Sequence, residues 1–289
     1  MTLGELAREI ERRLRKARLH YGHGTANPRD EAAFLVLRGL GLPFESPADR
    51  PVSAREQDRV ARLVQRRIRE RIPLPYLLHE AWLAGVPFYV DRRVIIPRSH
   101  IAALLAQRLR PWLRHPVRHA LDLCTGSGCL AVLAAKAFPR ARVDAADLSP
   151  GALAIAARNI ARHRLRSRVR LVRSDLLAQL ARRRYDLILS NPPYVSAPAM
   201  RALPREYRYE PQLALAGGAD GLALVRRMLA QAAAHLHAQG LLVCEIGDNR
   251  RALERAFPRL PFAWPQTAAG SGEVFVLARE ELLRAGDLG

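Results

Sequence analysis

Apolar residues recur at helical spacing from the first turn of the chain. Leu3, Leu6, Ile10, Leu14 and Ala17 mark one face of a helix over Leu3–Leu19. A second helical stretch, Asp30–Leu40, follows Asn27-Pro28 and is closed by Gly39 and Gly41. Ser53-Ala-Arg-Glu56 has the form of a capping box and opens a third helix from Arg55 to about Arg71, which Pro73 and Pro75 end. Residues 1–80 therefore read as a small helical unit, suited to docking a substrate or to capping a larger domain. Residues 81–98 carry two β-rich runs on either side of Asp91-Arg92-Arg93, the pattern of a hairpin linker. Ser99 is placed to cap a helix over Ile101–Leu109.

From His119 the pattern alternates. Short apolar strands are expected at His119–Leu123, Arg142–Ala146, Val169–Val172, Tyr185–Ser190, Leu241–Ile246 and Val274–Ala278, with helices at Leu130–Ala137, Pro150–His163 and Leu222–His237. Alternating β and α predicts an α/β fold over residues 99–289: a Rossmann-like, mostly parallel sheet with right-handed crossovers and helices on both faces. Ligands in such sheets lie beyond the carboxyl ends of the strands. Each polar motif below falls at such an end.

Asp122-Leu-Cys124-Thr125-Gly126-Ser127-Gly128 follows the first of these strands and opens a helix. Gly126 and Gly128 permit a sharp turn and close approach of backbone to ligand. The helix start offers free N–H groups to a carboxylate. A dinucleotide site wants a third glycine, and Ala131 and Val132 follow instead, which favours a smaller ligand. The next strand ends in Asp147-Leu148, an acid about 20 residues on and placed to accept both hydroxyls of a ribose. Asp144 is its rival, earlier in the strand. After the third strand come Asp175, an acceptor for an adenine amine, and Leu176, a cover for its ring; a surface helix cap is the alternative for Asp175.

Asn191-Pro192-Pro193-Tyr194 stands at the end of the fourth strand. Asn191 offers an acceptor and a donor, and the two prolines remove N–H donors and fix the backbone, so the Pro192 carbonyl can be aimed at a ligand. Tyr194 can lay its ring on a planar group. An amide nitrogen is a poor nucleophile because its lone pair is delocalised. Accepting its two hydrogens on Asn191 and on the Pro192 carbonyl would hold it in line with an electrophilic methyl, and positioning of this kind supplies ~7 kcal/mol or more. Together, the glycine loop and the Asn-Pro-Pro-Tyr clamp point to methyl transfer from S-adenosylmethionine to a planar nitrogen.

Over nearly its whole length the chain resembles the protein glutamine methyltransferases of the class I S-adenosylmethionine-dependent fold, which join a helical amino-terminal domain and a hairpin linker to a catalytic domain with Asn-Pro-Pro-Tyr. The resemblance implies S-adenosyl-L-methionine as cofactor. It implies cofactor contacts from Asp122, Cys124, Thr125, Gly126, Ser127, Gly128, Asp147, Leu148, Asp175, Leu176 and Asn191. Catalysis would rest on Asn191, Pro192 and Tyr194, and the substrate site on Asn191, Pro192, Pro193, Tyr194 and Glu210. Leu19-His-Tyr-Gly-His-Gly-Thr-Ala-Asn-Pro28 and Cys124-Thr-Gly-Ser-Gly-Cys129 resemble the branch acting on large-subunit ribosomal protein L three. The branch acting on the Gly-Gly-Gln loop of peptide chain release factors more often has glycine where Cys124 stands. Ala269-Gly-Ser-Gly-Glu-Val-Phe275 departs from the Gly-Gly-Asp-Gly-Val-Phe expected near the carboxyl end, leaving the final hairpin open. The expected partner is ribosomal protein L three, free or in an assembling large subunit. The alternatives are the release-factor enzyme, a nucleic-acid amino-methyltransferase, and a noncatalytic ribosome assembly factor.

Composition narrows the setting. The chain has 289 residues, 49% of them hydrophobic, and no run of 18 apolar residues to cross a membrane. Its acid-bearing amphipathic start is wrong for a signal peptide, and Cys124, Cys129 and Cys244 read as reduced thiols of a cytoplasmic protein. The net charge of +20 suggests anionic surroundings, most simply RNA or a ribonucleoprotein, with ribosomal RNA as a candidate contact of the basic surface. Lysine occurs only at Lys16 and Lys136, so arginine-rich coding is a competing explanation. His20 and His23, without a third ligand, read as structural or substrate-contacting residues rather than a metal site.

Overall fold

The computed structural model describes residues 1–267 and 270–286. Helices α1 (Leu3–Lys16), α2 (Pro28–Gly39) and α3 (Ala54–Glu70) open the chain, and the short α4 (Leu74–Leu78) follows. Thr2 and Ser53 close capping boxes with Glu5 and Glu56 at the starts of α1 and α3. Leu3, Leu6, Ile10 and Leu14 pack with Leu35, Val36, Val60 and Val64 into one buried cluster, the core of the helical front end. The first helix stops at Lys16 rather than Leu19, where Arg18 turns the chain at φ 47°.

Strands β1 (Ala81–Leu83) and β2 (Val86–Phe88) form a hairpin, but its turn is not Asp91-Arg92-Arg93. Ala84 and Gly85 both adopt positive φ, 48° and 73°, the pattern a two-residue hairpin turn needs. Asp91–Val94 makes a later turn, and the extended run after it pairs with no strand among the described residues. The Ile96 N–H donates to the Glu210 carboxylate at 3.0 Å. Helix α5 (Ile101–Ala106) is shorter than expected; the Ser99 hydroxyl accepts the Ile101 N–H and donates to Glu245.

The alternating half contains β3 (His119–Leu123), α6 (Cys129–Ala137), β4 (Arg142–Asp147), α7 (Pro150–Arg162), β5 (Val169–Arg173) and β6 (Tyr185–Ser190). It continues through α8 (Ala197–Ala202), α9 (Ala223–Ala232), β7 (Leu236–Glu245) and α10 (Arg250–Ala256). The chain then passes a short antiparallel pair, β8 (Gln266–Thr267) and β9 (Gly270–Ser271), to reach β10 (Val274–Ala278) and α11 (Arg279–Arg284). Ala269, the start of the divergent carboxyl-terminal segment, lies outside the described residues. The six-stranded sheet runs β10-β7-β6-β3-β4-β5, parallel except for β10, so the expected α/β fold is present. Successive side chains go to opposite faces: Leu187 and Leu189 join the core that holds α5, α6 and α7, and Ile188 joins the core beneath α9, α10 and α11.

The helix expected over Leu222–His237 ends early. Ala233–His235 is one tighter turn, and β7 begins at Leu236. A register shift between Tyr185 and Leu187 takes up the extra residues, and Gly240 lets the strands close, since a Cβ there would stand 2.8 Å from the Tyr185 carbonyl. Periodicity could not reveal this, because the exposed His237-Ala-Gln stretch suits either element.

A buried polar cluster joins the helical front end to the segment after α8. Arg67 of α3, 1% exposed, donates to Glu31 at 2.6 Å and to the His20 carbonyl, and lies 3.6 Å from Glu206. Glu206 also accepts the His20 N–H and an N–H of Arg71. His23 is 4% exposed, stacks at a tilt on Tyr207 with ring centroids 4.5 Å apart, and has no hydrogen-bond partner on either ring nitrogen among the described residues. Burial pushes its pKa down to about 4, partly opposed by nearby Glu210.

An unfolded histidine titrates near 6.5. The stability held by neutral His23 is therefore complete above about pH 6.5, falls as pH drops toward 4, and is level below that, a change on the order of 3 kcal/mol. Urea unfolding of wild type and His23→Phe between pH 7 and pH 4 checks this. The wild type is expected to lose more of its stability over that interval than the variant; parallel losses would refute it.

Candidate active site

Register decides which loops meet. In β3 and β6, Leu123 stands beside Ser190; in β3 and β4, Leu123 stands beside Ala146; in β4 and β5, Asp147 stands beside Arg173. The residues that leave the sheet next, Cys124, Asn191, Asp147 and Ser174, are thus neighbours at the carboxyl edge. The chain passes from β3 out to β5 and then returns to the other side of β3 as β6, so a crevice opens between β3 and β6. A cavity of about 670 Å³ fills it, a volume suited to a small ligand.

The loop after β3 divides its labour. Cys124 and Gly126 line the cavity; Asp122, Thr125, Ser127 and Gly128 do not, and shape the turn from behind. The buried Asp122 carboxylate accepts the Thr125 hydroxyl at 2.5 Å and the Ala131 N–H at 2.8 Å, tying the loop to the first turn of α6. Burial raises its pKa to about 7. Gly128 is needed for a close approach, because a Cβ there would stand 3.1 Å from the Ala156 Cβ of α7. Cys124 adopts φ 60°, a conformation that glycine takes without strain. Its thiol and that of Cys129 are pushed up by burial, which disfavours thiolate chemistry at both. Asn159, fully buried on α7, bonds the Ser127 carbonyl and both backbone groups of Tyr89, so the linker is pinned to the loop.

Asp147 lines the cavity, and its two oxygens accept the N–H groups of Gly126 and Ser149, each at 2.9 Å. Its rival Asp144 is absent from the cavity wall and is held instead by Arg170, Arg183 and the Tyr185 hydroxyl. Leu148 lines the cavity while 45% exposed, an apolar surface left open at its rim. Leu176 and Asp175 line it as well, and Asp175 is half-buried and paired with Arg227 of α9 at 2.8 Å. Asp175 thus belongs to the wall but is not reserved for it.

Asn191 and Pro193 line the cavity; Pro192 and Tyr194 stand just behind. Among the described residues the Asn191 side chain makes no hydrogen bond, and neither does the Pro192 carbonyl. The backbone beyond them is fixed. Val195 pairs with Ala216 in a parallel bridge, its N–H donating to the Leu215 carbonyl and its carbonyl accepting the Gly217 N–H. The Asn249 amide donates to the Tyr194 carbonyl at 2.8 Å. The Tyr194 ring packs on Gly247, where a Cβ would stand 2.7 Å from the ring, and its hydroxyl lies 3.5 Å from the buried Glu245 carboxylate.

With this geometry in hand, likeness to known proteins becomes specific. The family description "Methyltransferase small domain" matches residues 101–203. The ribosomal protein uL3 glutamine methyltransferase of Bordetella pertussis is 52% identical over 286 residues, covering 97% of this chain and 96% of that protein. The protein of the same name from Neisseria meningitidis serogroup B is 48% identical, covering 98% and 94%. The chain belongs to the ribosomal protein uL3 glutamine methyltransferase family. It is a methyltransferase. Its fold is shared more widely: a methyltransferase from Pyrococcus furiosus covers 77% of this chain and 98% of its own with a TM-score of 0.51 at 19% identity. The hMettl16 catalytic domain, solved with the MAT2A 3′UTR hairpin 1, gives 0.52 at 16%.

In this member of the family Glu210 does not line the cavity. It is buried, accepts both terminal nitrogens of Arg98 at 2.5 and 2.7 Å, and takes the Ile96 N–H. It thereby clamps the linker to the segment that follows, and from Pro211 to Gly218 that segment forms one wall. The linker residues Arg93, Val94 and Ile95 form another. The linker wall was not legible as a site in the sequence, and the other was marked only by the likeness of Tyr209–Gly221 to the glutamine methyltransferases. The signal available was the paired glycines, Gly217-Gly218, after an apolar run that exposes Leu213.

Gly217 is where the wall meets the clamp. A Cβ there would stand 2.7 Å from the Tyr194 Cα and 2.8 Å from the carbonyls of Pro193 and Gly221, all backbone. Overpacking of this kind costs ~1–3 kcal/mol. Gly217→Ala is expected to lower kcat ten-fold or more with the fold retained; steady-state kinetics beside a melting curve checks it, and wild-type kcat would show that the contact is not needed.

Proposed function

We propose that this methyltransferase transfers a methyl group from S-adenosyl-L-methionine to the side-chain amide nitrogen of a glutamine in ribosomal protein uL3. The observation that carries the reading is the Asn191 amide, lining the cavity without a hydrogen-bond partner among the described residues, beside a Pro192 carbonyl that likewise has none among them. The names of the curated relatives supply the substrate.

The residues present fit the cofactor. Gly126 has φ +54° and nothing within 4 Å of where a Cβ would stand, so the loop leaves open space against bare backbone. The Asp147 oxygens accept backbone N–H groups of Gly126 and Ser149 and keep lone pairs for a ribose diol. Leu148 and Leu176 offer apolar cover for a purine, and Asp175 an acceptor at the far wall. When bound, S-adenosylmethionine supplies a methyl group activated by its sulfonium charge.

The rest falls to the chain's own residues. Asn191 Oδ1 accepts one hydrogen of the glutamine amide and the Pro192 carbonyl accepts the other, which fixes the nitrogen's orientation. Pro193 bounds the amide plane, the Tyr194 ring backs it from Gly247, and Glu210 keeps the linker wall closed through Arg98. No strong base is required, because the amide nitrogen is positively charged once it has taken the methyl group, and in that form it gives up a proton readily to water. Residues 1–80 dock the ribosomal protein, free or in an assembling large subunit, in the cytoplasm.

Asn191→Ala is expected to lower methylation at least a hundred-fold while leaving cofactor affinity within about three-fold, read by turnover and by calorimetric titration. Such a split is the mark of a group that acts by positioning. Asp147→Ala is expected to weaken cofactor binding by ~1–3 kcal/mol, the scale of unpaired hydrogen-bonding groups; unchanged affinity would reject its ribose role. The decisive test offers radiolabelled cofactor with unmethylated uL3, a release factor, or ribosomal RNA. Label on a uL3 glutamine supports the reading. Label on the release factor keeps the chemistry and replaces the substrate, and label on RNA alone overturns both.

A further inference from the structure

The opposite end of the sheet carries a second large feature. A groove of about 880 Å³ runs across the amino ends of β3 to β7, from Arg168 and Arg170 at the β5 edge to His237 of β7. Five strands at ~4.8 Å spacing make it about 19 Å long, and a strand of five or six residues puts it roughly 16–20 Å from the methyl-transfer cavity. Arg142, Arg166, Arg168, Arg170, Arg183 and Arg184 line it. Its acid, Asp144, is already neutralised by Arg170 and Arg183. Arg168 is spent on the carbonyls that end α6. Arg142, Arg166 and Arg184 are exposed, and among the described residues their guanidinium groups make no hydrogen bond or ion pair.

We infer that this groove binds the phosphate backbone of RNA and seats the enzyme on an RNA-bearing substrate while the opposite edge works on protein. The choice of RNA over another polyanion rests on the ribosomal-protein reading above; the groove itself does not. Guanidinium groups match phosphate oxygens in bidentate geometry, and three unpaired ones in a single groove form a concentrated positive field. Protection of an exposed sheet edge explains arginines on β5. It does not explain Arg142 of β4, or Arg183 and Arg184 before β6.

The test uses the full-length protein and a fluorescent single-stranded RNA of ~20 nucleotides, titrated at several salt concentrations. Arg142→Ala/Arg166→Ala/Arg184→Ala is compared with Arg55→Ala/Arg59→Ala/Arg62→Ala, which removes the same charge from the exposed face of α3. The groove variant is expected to bind at least ten-fold more weakly, and its salt slope to be shallower by about 2, since each single-strand phosphate contact contributes ~0.7. The α3 variant should stay within about three-fold of wild type. Methylation of free uL3 by the groove variant should be unchanged, which separates this inference from the catalytic one. Photocrosslinking of the RNA to wild-type protein should map to residues 140–142, 164–170 and 182–185. Equal weakening in both variants, crosslinks elsewhere, or displacement of RNA by polyglutamate at equal charge would overturn the proposal.

Discussion

Pairing of β3 with β6 sets the place of almost everything else. These strands are separated in sequence by β4 and β5, and their parallel register brings Leu123 level with Ser190. The Ser190 hydroxyl donates to the Leu123 carbonyl at 2.8 Å, adding a side-chain bond at the point where both strands end. A slip of one residue would turn Leu187 and Leu189 out of one core and Ile188 out of the other, so burial on both faces enforces the register. With it held, the glycine loop and Asn191 emerge side by side, and the crevice follows from topology.

Around this crevice the chain spends buried polar groups on position. Asp122 fixes the loop from behind, Asn159 ties the loop to the linker, and Glu210 ties the linker to the wall that carries Gly217. Burying a charge is costly unless it is paired, and breaking such a pair is costlier still. That holds for Glu210 with Arg98, while Asp122 and Asn159 are held by hydrogen bonds to neutral groups. It holds also for Arg67 between the helical front end and the segment after α8, with Glu31, Glu206 and the His20 carbonyl as partners. The front end is thus joined by hydrogen-bonded charge to the segment that bears the cavity wall.

The charge of the chain reads differently once its placement is known. Near the cavity, arginine is paired: Arg98 with Glu210, Arg227 with Asp175, Arg93 with Asp91. At the amino ends of the strands, three exposed guanidinium groups, those of Arg142, Arg166 and Arg184, line one groove without a partner among the described residues. The two edges of one sheet therefore have different chemistry, one apolar and shaped around a neutral amide, the other open and cationic.

The local patterns were enough for the capping boxes at Ser53 and for the strands at β3, β4 and β6, because caps and short apolar runs are properties of neighbouring residues. They were also enough for Asp147, Asn191 and the glycine loop, since a strand end followed by Gly-x-Gly or Asn-Pro-Pro-Tyr carries its own backbone constraints. The turn at Ala84-Gly85 was missed because Asp91-Arg92-Arg93 is the more polar turn candidate, while the actual turn depends on two positive φ angles. The early start of β7 was missed because exposed residues obey no periodicity. Asp122, Thr125 and Gly128 were grouped with ligand contacts because sequence cannot distinguish the front of a loop from its back. Glu210, Asn159 and the wall from Pro211 to Gly218 depend on partners some 30 to 115 residues away. Sequence alone determined which backbone segments could present chemistry; only the tertiary structure, through register and long-range buried pairing, decided which side chains face the cavity and which hold it in shape.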